Sequence, residues 1–465
     1  MTTPRSLVLS CFVTTLAGVA AAAHAQCPPV RSVSPDGADA VRFGQAMASN
    51  TSQGGNQWVI SEQHQVWAYD LVDGRLVQRQ DVRLPYPYFQ NQFGYHVAID
   101  GHRMVAGASM VRWPGRIDPV GGAFVFELVD GQWIHTGDVE PPDGLMASGT
   151  GGKVAIDGDT ILTAGDPHGR VVVSEPAPGQ PTGVVTVQVI QRPDDVEREA
   201  EFGWPVVARD GWLFISAHRD RTHTSMAGVV FAYRRGTDGT YELVQRIDGH
   251  SLGVGDEIGL FGLAVGFDGR TLAIGAGSST IDFEQQGAVF VYELDSGLWT
   301  RTQTLTPHTA FRRQAFGIYQ VAVDGDRLIV HANGQRTARV DGAVYAFERT
   351  AAGVWRQSAR LLPNPPYHAA DYGYRMALHG DLALIGAYRE CEGPGTDATG
   401  AAYLFDLSCY ECPDLDADDR LTVFDSLEFL RAFDAGEPIA DMDNDGELTV
   451  ADFLAFQDAF AVGCP

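Results

Sequence analysis

The 465-residue chain carries 33 basic and 59 acidic residues, a formal charge of −26, and that sign excludes partners held through phosphate, such as nucleic acid or an anionic membrane surface. Apolar residues make up 45% of the chain and glycine fills 53 positions, a composition of short strands and tight turns that excludes a helical bundle. A single lysine, Lys153, points away from lysine-based chemistry.

Residues 1–25 combine Arg5, an apolar run over 7–23 and the small-residue ending Ala23-His24-Ala25. That is the pattern of a secretory signal cut before Gln26. Export places Cys27, Cys391, Cys409, Cys412 and Cys464 in an oxidising compartment, where disulfides form.

From residue 43 onward one unit recurs. Its copies start at Phe43-Gly44, Phe93-Gly94, a degraded Gly151-Gly152, Phe202-Gly203, Phe261-Gly262, Phe316-Gly317 and Tyr372-Gly373. The spacing of roughly 50 to 60 residues is that of propeller blades. In the clearest copy, 263–267 and 271–276 are apolar strands joined at Asp268-Gly269, a dipeptide suited to a tight hairpin. A third apolar strand follows at 287–293, and 299–305 alternates polar and apolar residues, as an outer strand with one wet face does. Trp133, Tyr241, Trp299 and Trp355 share one position in that fourth strand. Seven copies predict an all-β, seven-bladed β-propeller followed by a small all-α C-terminal domain.

The last copy has no fourth strand of its own, while residues 29–34 precede the first copy without a partner. The N-terminal segment is expected to fill that gap and close the ring, which removes a free sheet edge. Closure puts Cys27 beside Cys409, with Cys391 as the other candidate partner.

Long connections between second and third strands, and between blades, leave from one face. They carry Arg112, Trp113, His218, Arg219, Arg221 and Arg389, the predicted ligand-binding residues, together with Tyr86 and Tyr88. Arginine forks suit carboxylate or sulfate groups and aromatic rings stack on sugars, so a glycan or a protein is the expected ligand. Asp220 near His218 and His223 is a possible metal or acid–base cluster. The chain has no GxSxG, HExxH or P-loop.

The C-terminal stretch from Asp414 to Pro465 holds fourteen acidic and two basic residues. Within it, Asp414, Asp416, Asp418, Thr422 and Asp425 fall at loop positions 1, 3, 5, 9 and 12, with Arg420 supplying a backbone carbonyl. Asp441, Asp443, Asp445, Thr449 and Asp452 repeat the set, with Glu447 in the carbonyl role. This spacing predicts two Ca2+ loops, each followed by a helix, over 426–433 and 453–460. Asp419 replaces the turn glycine that the second loop keeps as Gly446, so the second site is expected to bind more tightly.

The repeated unit resembles the FG-GAP repeat of integrin-α-type propellers, over most of the chain after the signal. That family's acidic calcium loop is replaced here by short turns such as Asp268-Gly269 and Asp324-Gly325, so no metal is expected in the blades. The tandem loop-helix units resemble a dockerin, of the type ending in Gly463-Cys464, bracketed by Cys412 and Cys464 as an expected disulfide. The resemblance implies a cohesin-like or cell-surface partner, although the usual polar recognition pair is replaced by Val423-Phe424 and Val450-Ala451. The domains expected are a signal peptide at 1–25, the propeller at 26–408 and the dockerin-like module at 409–465. The function expected is a secreted or surface-held, non-catalytic binding or scaffold protein. The alternative is a hydrolase or lyase acting on an extracellular polysaccharide at the channel mouth.

Overall fold

The computed structural model describes residues 29–462 apart from 36–41, 51–56, 63, 85–91, 114–117, 142–148, 166, 181, 222–226, 253–258, 282, 308–309, 311, 337–340, 351, 364–367, 392–398, 410–414, 416–420, 437–439, 441 and 443–447. The expected signal, Cys27, Cys412, Cys464, Tyr86, Tyr88, His223 and the calcium-ligand positions Asp414, Asp416, Asp418, Arg420, Asp441, Asp443, Asp445 and Glu447 lie outside the described residues.

Continuous apolar runs in the second and third strands give each repeat a sheet with two buried faces, and seven such sheets of four antiparallel strands form the seven-bladed propeller. The inner strands are Met47–Ser49, Phe93–Asp100, Lys153–Asp157, Val206–Arg209, Phe261–Phe267, Phe316–Asp324 and Met376–His379. Each packs beside the next, and the first packs beside the last, so the ring is closed. Closure uses the N-terminus as expected. Val30–Ser32 is the outer strand of the seventh blade, antiparallel to Ala401–Asp406, with Val30 opposite Leu404 and Ser32 opposite Ala402.

The Asp-Gly turns do more than reverse the chain. Gly325 takes the positive φ of 61° that its hairpin needs, and its N–H also donates to Asp268 Oδ2 of the blade before, at 3.0 Å. Gly158 donates to Asp100, Gly211 to Asp157 and Gly380 to Asp324 in the same way. A second belt runs around the outside. The Gln80, Gln188, Gln245 and Gln303 amides each make two hydrogen bonds to the backbone of the aromatic residue opening the next outer strand, namely Trp133, Tyr241, Trp299 and Trp355.

One repeat start is corrected. In the third blade the motif is Thr150-Gly151, one residue earlier than Gly151-Gly152. Thr150 makes the parallel bridge to Gly121 that Phe43 makes to Gly400 and Phe316 to Gly287. Gly151 has φ 80° and approaches Gly122 so closely that an added Cβ would lie 1.8 Å from its carbonyl oxygen.

After the ring come two helices, Val423–Ala435 and Val450–Val462, three residues longer at their N-termini than the spacing predicted. The reason is capping: Thr422 accepts the Phe424 N–H at 3.1 Å, and Asp425 at the third helical position accepts the Thr422 N–H at 2.7 Å. Phe429 and Phe456 stack with centroids 4.5 Å apart, in a small core with Leu415, Ala432, Ala440 and Met442.

Candidate functional site

Inner strands run from the loop face to the turn face, so the residues just after each repeat start line the upper end of the central channel. Backbone pairing fixes which residues are equivalent. His96 is opposite Gly107, Lys153 opposite Ala164 and Ala264 opposite Gly275. The carbonyls of Ala46, Pro205 and Arg375 accept from Ser61, Ser216 and Gly386 at the same level. Three of these positions are therefore basic: His96, Lys153 and Arg375, in blades two, three and seven.

On the loop-face side the channel opens into a cavity of about 380 Å³. Its wall includes this basic layer, the rings of Trp204, Tyr319 and Tyr374, and a rim formed by Glu201, His218 and Arg219. Lys153 is 5% exposed, and its ammonium lies 4.1 Å from the centroid of the Trp204 ring. Arg375 is 9% exposed, stands over the Tyr374 ring at 4.5 Å and donates to the Tyr374 carbonyl at 3.2 Å. Its Nε is buried without a hydrogen-bond partner. Among the described residues no carboxylate pairs with either cation. Burial first, and the Arg375 charge second, hold the Lys153 amine well below its ordinary range. Burial, then the charges of Lys153 and Arg375, push the His96 imidazole well below its ordinary range as well.

At the rim, His218 is buried with Nδ1 2.9 Å from the Trp204 carbonyl and Nε2 3.3 Å from a Glu201 carboxylate oxygen. Burial lowers this imidazole to about 4, so it is neutral at pH 7. Arg219, half exposed, pairs with Glu201 at 2.7 Å. The turn-face half of the channel, about 370 Å³, ends instead on Asp100, Asp157 and Asp210, with Arg209 as the basic residue among them. The channel is thus cationic and aromatic at one end and acidic at the other.

Of the residues singled out from sequence, His218 and Arg219 line this mouth. Trp113 does not serve as a stacking surface: it is 1% exposed, packs against Phe124 and donates its indole N–H to Gly121 at 2.8 Å. The correction has a simple cause, since a loop tryptophan gains more by filling the gap beside Gly121 and Gly122 than by facing water. Arg112 and Arg221 are exposed outside the cavity, and Arg389 pairs with Asp371 at 3.1 Å. Asp220 is buried and held by Arg246 at 3.4 Å. Lys153, set aside on composition, is at the centre of the site.

In the C-terminal part, the position-12 carboxylates are both fully buried. Asp425 accepts from the backbone of Leu415 at 2.8 Å and of Thr422 at 2.7 Å. Asp452 accepts from Met442 at 2.8 Å and Thr449 at 2.6 Å. The two carboxylates are thus held alike, each by the backbone N–H groups of the residues ten and three positions before it. Val423, Phe424, Leu427 and Leu430 on one helix, and Val450 and Leu454 on the other, are more than half exposed.

The FG-GAP repeat family model matches residues 355–405, from the outer strand of blade six through the third strand of blade seven. No curated relative matches the chain. Among solved structures, the chain is similar to one described as the Mitotic Checkpoint Complex, at 9% identity over 82% of this chain and 96% of that one, with a TM-score of 0.48. It is also similar to Kluyveromyces lactis Hsv2, at 12% identity over 75% and 90% of the two chains, with a TM-score of 0.46. No helix among the described residues is long and apolar enough to cross a membrane.

Proposed function

We propose that the chain is an exported, non-catalytic propeller that takes its ligand at the loop-face mouth of the channel and is attached elsewhere through a calcium-dependent, dockerin-like C-terminal module. The carrying observation is the mouth itself: a cavity of about 380 Å³ with aromatic walls and an exposed arginine at its rim, on a ring braced by two belts of inter-blade hydrogen bonds. A concave, largely preformed site with a few polar groups is what small-ligand recognition uses. In the tail, Asp414, Asp416, Asp418, Thr422 and Asp425, then Asp441, Asp443, Asp445, Thr449 and Asp452, would hold Ca2+ with the carbonyls of Arg420 and Glu447. The exposed apolar residues beside those loops suit a protein partner, such as a cohesin-like or cell-surface protein, rather than a polar one.

A glycan and protein array probed with the full chain tests the first half of this reading. Arg219→Ala should weaken a captured ligand at least tenfold, about 1.4 kcal/mol, with unchanged melting. Binding that survives this change but is lost on altering the Asp-Gly turns would place the ligand on the wrong face for the proposal. One observation favours a second reading, a polysaccharide lyase or hydrolase: Glu201 and His218 converge on the same mouth as Lys153 and Arg375. Appearance of new reducing or unsaturated ends in an acidic polysaccharide would decide for it.

A further inference from the structure

Taking the loop-face mouth as the binding site, we infer that the channel behind it is built for one carboxylate, carried on a ligand of monosaccharide size, with a hexuronate as the fitting class. Lys153 and Arg375 come from blades three and seven, yet both open into one cavity and both are more than nine-tenths buried. Neither has a carboxylate partner among the described residues, in a chain whose acidic residues outnumber its basic ones by nearly two to one. A buried cation without a counter-charge is costly, and proteins ordinarily pair it. Here the Trp204 and Tyr374 faces supply partial compensation, and the Nε of Arg375 keeps a donor unused. An incoming carboxylate would supply the missing charge.

Size and charge narrow the class. The cavity of about 380 Å³ holds a single sugar ring but not a folded polymer segment, and its rings offer stacking surface. One fixed cation, the Arg375 guanidinium, beside an imidazole and an amine whose charging burial disfavours, matches one negative charge. A doubly charged phosphate would leave its second charge without a fixed cation, above a far end that carries Asp100, Asp157 and Asp210. A carboxylate on a sugar would keep its charge at the basic layer and turn its hydroxyl groups toward the Glu201 and Arg219 rim.

Because Lys153 is the only lysine, full-length protein labelled with 13C at the lysine ε-carbon reports on this site through one resonance. D-Galacturonate should shift that resonance saturably, whereas D-galactose at equal concentration should leave it in place. Calorimetry should show galacturonate binding at least tenfold weaker to Lys153→Met, and to Arg375→Met, provided each retains its far-ultraviolet dichroism. The unmodified protein decides the matter even where a variant fails to fold. Equal binding of galactose and galacturonate, or a resonance unmoved by saturating galacturonate, overturns the inference. So does a shift produced by inorganic phosphate at concentrations no higher than galacturonate needs, which would make the layer a general anion site. A neutral glycan captured on the array and lost with Arg219→Ala, while the lysine resonance stays still, would refute the carboxylate assignment and leave the loop-face reading standing.

Discussion

Arg31 and Glu390, 359 positions apart in the chain, form a 2.6 Å ion pair that fastens the N-terminal strand to the seventh blade. Glu390 is 1% exposed and also accepts the Tyr403 hydroxyl, so the carboxylate is committed to the closure from two sides. Removing the arginine would leave a buried carboxylate with only the phenol as partner. Arg31→Ala should therefore cost about 2–3 kcal/mol of stability, and adding Glu390→Gln should recover part of it. Thermal and urea unfolding of the two single variants and the double variant would measure the coupling; independent, additive losses would show that the pair does not clasp the ring.

The glutamine belt makes a second prediction. Gln303 donates to the Trp355 carbonyl at 2.7 Å and accepts the Trp355 N–H at 2.8 Å. Gln303→Ala leaves both backbone groups without their partner, at a cost of about 1–3 kcal/mol. Gln303→Glu keeps the acceptor and loses the donor, so its melting temperature should fall between those of the wild type and the alanine variant.

Acid should weaken the ring through its buried histidines. Burial lowers His331 to about 3, well below the ordinary 6.5 expected once unfolded. The folded state therefore prefers the neutral ring. Its contribution is complete above pH 6.5 and is lost progressively as pH falls from 6.5 toward 3, with unfolded chains binding more protons throughout that window. By pH 4.5 the loss from this one group is on the order of 2 kcal/mol. Denaturation curves at pH 7 and pH 4.5 should show a smaller difference for His331→Leu than for the wild type; an identical difference would mean that His331 is not held neutral.

The C-terminal loops should bind two Ca2+ ions per chain, the second more tightly. Gly446 suits the sharp turn that a calcium loop of this kind needs, and an aspartate, Asp419, stands at the same place in the first loop. Calorimetry on the full chain should give two sites, with Asp441→Ala costing more affinity than Asp414→Ala. Chelator should expose the 423–462 region to protease, because carboxylates brought together without metal repel one another. No heat and no change in cleavage would refute calcium binding.

Disulfides can be read by peptide mapping without reductant. Val30 is opposite Leu404, and the Leu407–Cys409 turn follows the strand that carries Leu404. The expected links are Cys27 to Cys409 and Cys412 to Cys464. The second closes a loop of about fifty residues and contributes roughly 4 kcal/mol by the chain-entropy estimate. A Cys27 to Cys391 link would keep the ring closure but refute the Cys27 to Cys409 pairing.

Sequence alone determined the blades, because their causes are local: continuous apolar runs bury both faces of the second and third strands, and Asp-Gly places five of the inner hairpins. It also determined that residues 29–34 would complete the last blade, since a ring cannot leave a strand position empty without exposing a sheet edge. The tertiary structure decided what the strands enclose. His96, Lys153 and Arg375 occupy one layer only because three blades present the third residue after their repeat start to the same axis. Reading the third start as Gly151-Gly152 hid this, since a slip of one residue in a strand moves a side chain to the opposite face. The pairing of Thr150 with Gly121 restored the register, and with it the place of Lys153. Trp113 shows the same limit from the other side: a loop position predicts exposure, but a close approach of two glycines opened a gap that only the assembled blade reveals.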